Sequence, residues 1–334
     1  MRITRDTLLK IARDTTAQQT QINRHIICVY LTGSLLGDDP LLGGSTDIDL
    51  IFVQNTEPLH EREIIKFTDE IHLDIAHISQ TKFSQPRNLR SDPWIGSYMC
   101  ANPMVLFDIK HWFEFTQAGV CAQFNRPDNV LTRSRPLAEA ARQSWLSLST
   151  QKEIPACQQV RIYLKALENA ANSIACLNGP PLTERRFLLN LADRAEAAGH
   201  PELADGWMDL FNCSPLTEED WQKWIKGWRE DLLKAGQLQN PPVALHPYRL
   251  VYYERAIDVL RSDHPIAALW LLIHTWSRAI CSLPENSPHS KSWQTACRAL
   301  ELDGEKLSVR VEALDGYLDS LEDVLEDWAQ QNGV

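Results

Sequence analysis

Between Leu31 and Val53 the chain reads LTGSLLGDDPLLGGSTDIDLIFV, and no other stretch limits the fold as tightly. An apolar run, Ile26 to Leu31, stops at Gly33-Ser34. A glycine-rich, acidic connection follows, and Asp47-Ile48-Asp49 then opens a second apolar run, Leu50 to Val53. Alternate side chains of a strand share a face. Asp47 and Asp49 therefore point one way, and Ile48, Leu50 and Phe52 the other. Two carboxylates held that close repel unless a cation lies between them. At the start of an otherwise buried strand, such a pair makes a natural Mg²⁺ site.

A third acid extends the pattern. Ile71 to Ile78 (IHLDIAHI) reads as a strand with Asp74 on one face and Leu73 and Ile75 on the other. If this strand lies beside the one carrying Asp47 and Asp49, three carboxylates converge from two strands. Three carboxylates next to a Gly-Ser turn suit transfer of a phosphoryl-type group from a nucleoside triphosphate (NTP). One Mg²⁺ would hold the triphosphate, and a second would lower the pKa of an attacking hydroxyl.

In these residues the chain resembles the nucleotidyltransferases of the DNA polymerase beta type. Their motif is Gly-Ser or Gly-Gly, about ten residues, Asp-x-Asp, then a later acid on a strand. Here it reads Gly33-Ser34, twelve residues, Asp47-Ile48-Asp49, then Asp74, within roughly the first third of the chain. The resemblance implies an α+β fold, a small mixed β-sheet followed by an all-helical domain. It also implies roles. Asp47 and Asp49 would bind both Mg²⁺ ions, and Asp74 would complete one site and help deprotonate the acceptor. Gly33 and Ser34 would hold the β- and γ-phosphates.

Other acids and bases fit the pattern less well. Asp38 and Asp39, beside Pro40, read as solvated turn residues. Asp108 reads as part of a helix N-cap rather than a ligand. His72 shares the Asp74 face and suits a hydrogen-bonded structural role. Lys82, Arg87 and Arg90 lie in a loop-rich stretch, 79–97, from which a base can reach a triphosphate.

Along the chain, residues 4–23 read as a first helix, Glu57 to Glu70 as a helix packing Ile64, Ile65 and Phe67 inward, and Met104 to Asp108 as a strand. Trp112 to Ala122 reads as a helix. Asn125 to Pro136 (NRPDNVLTRSRP) has the composition of a linker. The expected division is a catalytic domain over 1–126, a linker over 127–136 and a helical, acceptor-binding domain over 137–334. In the last, eight segments of helical period run from Leu137 to Ala329. Ten of the eleven tryptophans lie beyond residue 110, and Trp221, Trp224 and Trp228 share a helical face, as a core stripe does. Lys165 to Phe187 loosely resembles the helices after the catalytic sheet in aminoglycoside-type members. Arg194 and His200 echo the Arg…His spacing of helical RNases that accompany minimal nucleotidyltransferases.

Charge narrows the partners. Net charge is −11 over 334 residues. Residues 1–135 hold 14 Lys and Arg against 16 Asp and Glu, and the rest hold 19 against 28. So acidic a second half is a poor surface for extended nucleic acid, which needs basic residues against its phosphates. A small-molecule acceptor is the first expectation, with a protein side chain or a tRNA end as runner-up. No apolar run approaches the length of a membrane span, and the charged N-terminus lacks a signal-peptide core, so the expected location is cytoplasmic. The eight cysteines form no CxxC pair and read mostly as reduced core residues. The competing functional reading is a nucleotide- or protein-binding regulator on the same fold, antitoxin-like and without turnover.

Overall fold

The computed structural model describes residues 3–151, 153–211, 215–284 and 290–334. The chain is α+β: a mixed five-stranded sheet near the N-terminus, then a largely helical region. Contacts group it into two units, Met1–Asn129 with Val251–Val259, and Val130–Leu250 with Leu260–Val334.

The sheet unit opens with α1 (Arg5–Ile22). Thr4 caps it, its hydroxyl accepting from the Thr7 N–H, and Asp6 lies in the first turn, where a negative charge suits the helix dipole. Leu8, Ile11 and Ala12, spaced three and four apart, form its buried stripe. Then come β1 (Ile26–Thr32), β2 (Thr46–Gln54), β3 (Arg62–Lys66) and β4 (Ile71–Ser79). Two short helices, α2 (Pro86–Arg90) and α3 (Ile95–Cys100), lead to β5 (Met104–Asp108) and α4 (Trp112–Cys121). The strand order is β3-β4-β2-β1-β5, with β2 and β4 parallel and every other pair antiparallel.

Alternation gives the central strands two apolar faces. Ile48, Leu50, Phe52, Leu73 and Ile75 pack with Leu8, Ile11 and Ala12 of α1. On the other face Ile51, Val53, Cys28 and Tyr30 pack with Phe83, Leu89, Met99, Phe113 and Val120. Each fully buried side chain of this size contributes roughly 1.5–3 kcal/mol, and together they fix the register.

One expectation about the sheet unit fails. Residues 57–70 are not a helix. They contain β3, an edge strand whose Ile64 and Ile65 pair with Asp74 and Leu73 of β4. The β-branched pair suits a strand, and the Thr68 hydroxyl closes the turn into β4 by accepting from the N–H groups of Glu70 and Ile71. Phe67, expected inside, is half exposed. The described cysteines are mostly free thiols, as expected, apart from one pair. Cys100, ending α3, and Cys121, ending α4, form a disulfide with Cα atoms 5.6 Å apart. Cys28, Cys157, Cys176, Cys281 and Cys297 are free thiols, most of them buried, and Cys213 lies outside the described residues.

The helical unit runs through α5 (Pro127–Thr150), α6 (Ala156–Ala175), α7 (Phe187–Ala197), α8 (Pro201–Phe211), α9 (Glu218–Gly236), α10 (Arg249–Asp263), α11 (Pro265–Ser282), α12 (Lys291–Ala299) and α13 (Gly304–Gln331). The first residues of α5, 127–129, and the middle of α10, Val251–Val259, group with the sheet unit. Residues 127–136, expected to be linker, are the first turns of α5, with Pro136 inside the helix. Pro127 heads the helix, where no N–H is needed. A capping box between Thr217 and Asp220 starts α9, whose Trp221, Trp224 and Trp228 are core residues, as their spacing predicts. Trp207 and Trp270 pack with Phe187 and Phe211 at ring separations of 5.0–5.7 Å. Among the described residues no helix is long and apolar enough to cross a membrane.

Candidate metal centre

The face of β2 that is apolar at Ile51 and Val53 turns acidic at Asp49 and Asp47, near the start of the strand. β4 runs alongside in parallel, and its register sets Asp74 directly opposite Asp49 and His72 opposite Asp47. Strand spacing then does the rest. Ligand oxygens of Asp47, Asp49 and Asp74 all lie within 4.8 Å of one another. Asp47 is 7% exposed and Asp74 1%, with Asp49 part-buried. The three acids that sequence analysis singles out are thus one cluster.

Carboxylates so close and so dry need compensation. Two residues outside the motif supply part of it. Arg62 of β3 grips Asp74 with both arms of its guanidinium, Nε to Oδ1 at 2.5 Å and Nη2 to Oδ2 at 2.9 Å. The Tyr252 hydroxyl, from the Val251–Val259 segment, donates to Oδ2 of Asp47 at 2.7 Å. The buried His72 ring meets the Tyr252 ring edge-on, 4.9 Å between centroids. Sequence reading missed both Arg62 and Tyr252. Had β3 been recognised as a strand opposite β4, alternation from Ile64 would have placed Arg62 on the Asp74 side. For Tyr252, 205 residues from Asp47, no local signal exists.

Gly33 and Ser34 stand where β1 ends, just past Thr32, which pairs with Asp49. Gly33 has φ +79°, and a Cβ there would fall on the Asp49 carboxylate. Both its conformation and its closeness to Asp49 require glycine. The turn is closed by the Leu36 N–H on Gly33 O and the Gly37 N–H on Ser34 O. The Ser34 hydroxyl oxygen is buried and finds no hydrogen-bond partner among the described residues. An unsatisfied buried hydroxyl beside a carboxylate cluster is a place for a ligand oxygen.

The chemistry of the donors fits a hard divalent ion. Three carboxylates offer up to six oxygens, with no thiolate or imidazole in the cluster. What the residues can do, then, is hold metal ions and an oxygen-rich ligand close to one another.

The other candidates fall outside this group. Asp38 and Asp39 are exposed. Asp108 accepts from the Phe113 N–H at the start of α4, as a cap residue does. Arg90 braces the sheet unit by donating to Gly119 O and Gln123 Oε1, while Lys82 and Arg87 are exposed. In the helical unit Arg194 donates to Pro180 O and His200 bonds Glu202, so each has a structural partner of its own.

No family model and no curated protein matches the chain. What fold and site define is therefore a class: an α+β protein whose sheet carries a buried three-carboxylate group able to hold metal ions.

Proposed function

We propose that this chain is a Mg²⁺-dependent nucleotidyltransferase, which moves a nucleoside monophosphate from an NTP to an acceptor hydroxyl and releases pyrophosphate. The observation that carries the reading is the joining of Asp47, Asp49 and Asp74 in one cluster beside the Gly33-Ser34 turn. Asp47 and Asp49 would hold two ions and Asp74 one of them. When bound, those ions neutralise the triphosphate and acidify the acceptor hydroxyl. Gly33 leaves room for the Asp49 carboxylate, and the Ser34 hydroxyl receives a phosphate oxygen. Asp74 takes the acceptor proton as the new O–P bond forms and the Pα–O–Pβ bridge breaks. To do so it must exchange Arg62, which then has a free guanidinium for the triphosphate. Tyr252 holds Asp47 in one rotamer. Positioning and charge carry the rate. The acidic second half of the chain favours a small, cationic or neutral acceptor over a tRNA end.

The test is incubation with Mg²⁺ and each labelled NTP across a panel of acceptor alcohols, reading pyrophosphate. Asp49→Asn should lower turnover about a hundredfold or more while circular dichroism stays unchanged. Full turnover in that variant refutes the assignment.

One observation favours a second reading, a nucleotide-binding regulator. Arg62 occupies both oxygens of Asp74, as it would in a site built to bind and not to turn over. NTP binding without pyrophosphate from any acceptor supports that reading instead.

A further inference from the structure

Two cysteines of the sheet unit are joined by a bond that the proposed reaction does not use. Cys100 ends α3 and Cys121 ends α4, and both are only part-buried, within reach of a small reductant. This is the one disulfide among the described residues, since the other described cysteines are thiols. Each half-cystine follows a core residue. Met99 and Val120 are fully buried on the sheet face that also holds Tyr30, Ile51 and Val53. Cys28 of β1, the one described free thiol in the sheet unit, is fully buried in the same layer.

What the bond restrains follows from the two helices. α3 has six residues and α4 ten, too few to stay helical without packing. Apolar contact with the sheet holds them down, and so do polar ties. Gln117 Nε2 donates to Met99 O at 2.8 Å, and Arg90 Nη2 to Gly119 O at 2.6 Å. These ties outlast the disulfide, so the dithiol form stays folded. What it loses is the closure of a loop between cysteines 21 residues apart. Closing a loop of that length opposes opening roughly 100-fold. α4 packs on β1 and β5, with the Phe113 and Tyr30 rings 4.6 Å apart. Past Tyr30, β1 runs on to Thr32, which pairs with Asp49, and to Gly33, which lies against the Asp49 carboxylate. One strand thus joins α4 to the metal centre.

We propose that the Cys100–Cys121 bond is a redox latch on this layer, and that opening it loosens the hold of the carboxylate cluster on metal. The reductant is a dithiol. It supplies two electrons and two protons: the Sγ–Sγ bond breaks, two S–H bonds form, and the dithiol leaves as its own disulfide. Oxidised, the chain keeps α3 and α4 docked, and β1 is braced at Tyr30. Reduced, the two helices undock more often, and the strand that carries Gly33 loses that brace. The inference rests on the cluster binding metal and not on nucleotidyl transfer.

The experiment compares the full chain oxidised with the same chain reduced by dithiothreitol and desalted under nitrogen. Iodoacetamide labelling is followed peptide by peptide in both. Labelling of Cys28 should quicken at least about tenfold on reduction. Cys157, Cys176 and Cys297, buried in the helical unit, should label at unchanged rates. Terbium affinity should fall about fivefold or more, the lower end of coupling between sites. Cys100→Ser with Cys121→Ser should match the reduced form. Should that variant fail to fold, return of both wild-type values on reoxidation takes its place. Equal Cys28 rates in the two states overturn the latch, as does faster labelling at every thiol alike. Equal terbium affinities overturn its control of the metal centre. Terbium bound by neither form refutes the metal centre itself, and the Cys28 rates still decide the latch.

Discussion

The glycine before Ser34 and the carboxylate of Asp49 compete for the same space, and that contact sets what the site tolerates. Gly33→Ala puts a methyl group on the Asp49 carboxylate at a backbone conformation, φ +79° and ψ −162°, that costs an L-residue roughly 1–3 kcal/mol. Metal affinity, read by terbium luminescence, should fall at least about tenfold through displacement of Asp49 alone. Arg62→Gln tests the opposite side of the cluster. It strips the cation from a buried Asp74, which should cost roughly 1–3 kcal/mol, less than for a fully buried pair because Arg62 is 45% exposed. Because a divalent ion can replace the lost charge, millimolar Mg²⁺ should restore more stability to this variant than to the wild type, as melting temperatures would show. An equal metal response in both would mean that Arg62 and metal do not share Asp74. The acids themselves were legible in sequence, because a two-residue period needs only its own strand. Arg62 and Tyr252 were not, because each is defined by what another segment brings beside it.

At the scale of elements, β1, β2, β4 and β5 were readable, since each joins apolar alternation to a turn signal at one end. β3 was hidden by its charges. Residues 61–70 are rich in Glu, Lys and Arg, which favour helices, and the strand exists through its pairing with β4. The start of α5 was hidden by two prolines, although Arg133 and Ser134 between them are buried. The Val251–Val259 segment of α10 could not have been assigned to the sheet unit from its own sequence. Its attachment has two visible anchors besides Tyr252. Arg255 pairs with Glu70 at 2.8 Å, and the Gly43 turn lies so close to the Arg255 carbonyl that no Cβ fits. Tyr252→Phe removes the hydrogen bond to Asp47 and keeps the ring. It should destabilise the fold by roughly 1.5–3 kcal/mol in denaturant melts, the range for a hydrogen bond to a charged group, and lower metal affinity modestly.

For the molecule as a whole, pH acts through buried imidazoles. The fold holds His274 neutral, chiefly by burial, whereas the unfolded chain protonates it near pH 6.5. Below that pH the unfolded state binds a proton that the native state refuses, so stability falls as pH drops and is flat above. Burial shifts His77 and His246 the same way, so they add to the slope. Denaturant midpoints between pH 7.5 and 5 should therefore decline, by at most about 1.4 kcal/mol per pH unit from each group. His274→Gln should flatten the curve by one group's share, and an unchanged slope would mean that the ring titrates normally.

The grouping of Val251–Val259 with the first 129 residues also has a consequence in time. A ribosome that has finished the sheet's last strand still has more than a hundred residues to add before the tyrosine that steadies Asp47 exists. At 5–20 residues per second, that interval is roughly 7–29 seconds. Throughout it the nascent sheet carries its crowded acids without that hydroxyl, so a divalent ion arriving early would act as a folding aid before it ever served a reaction.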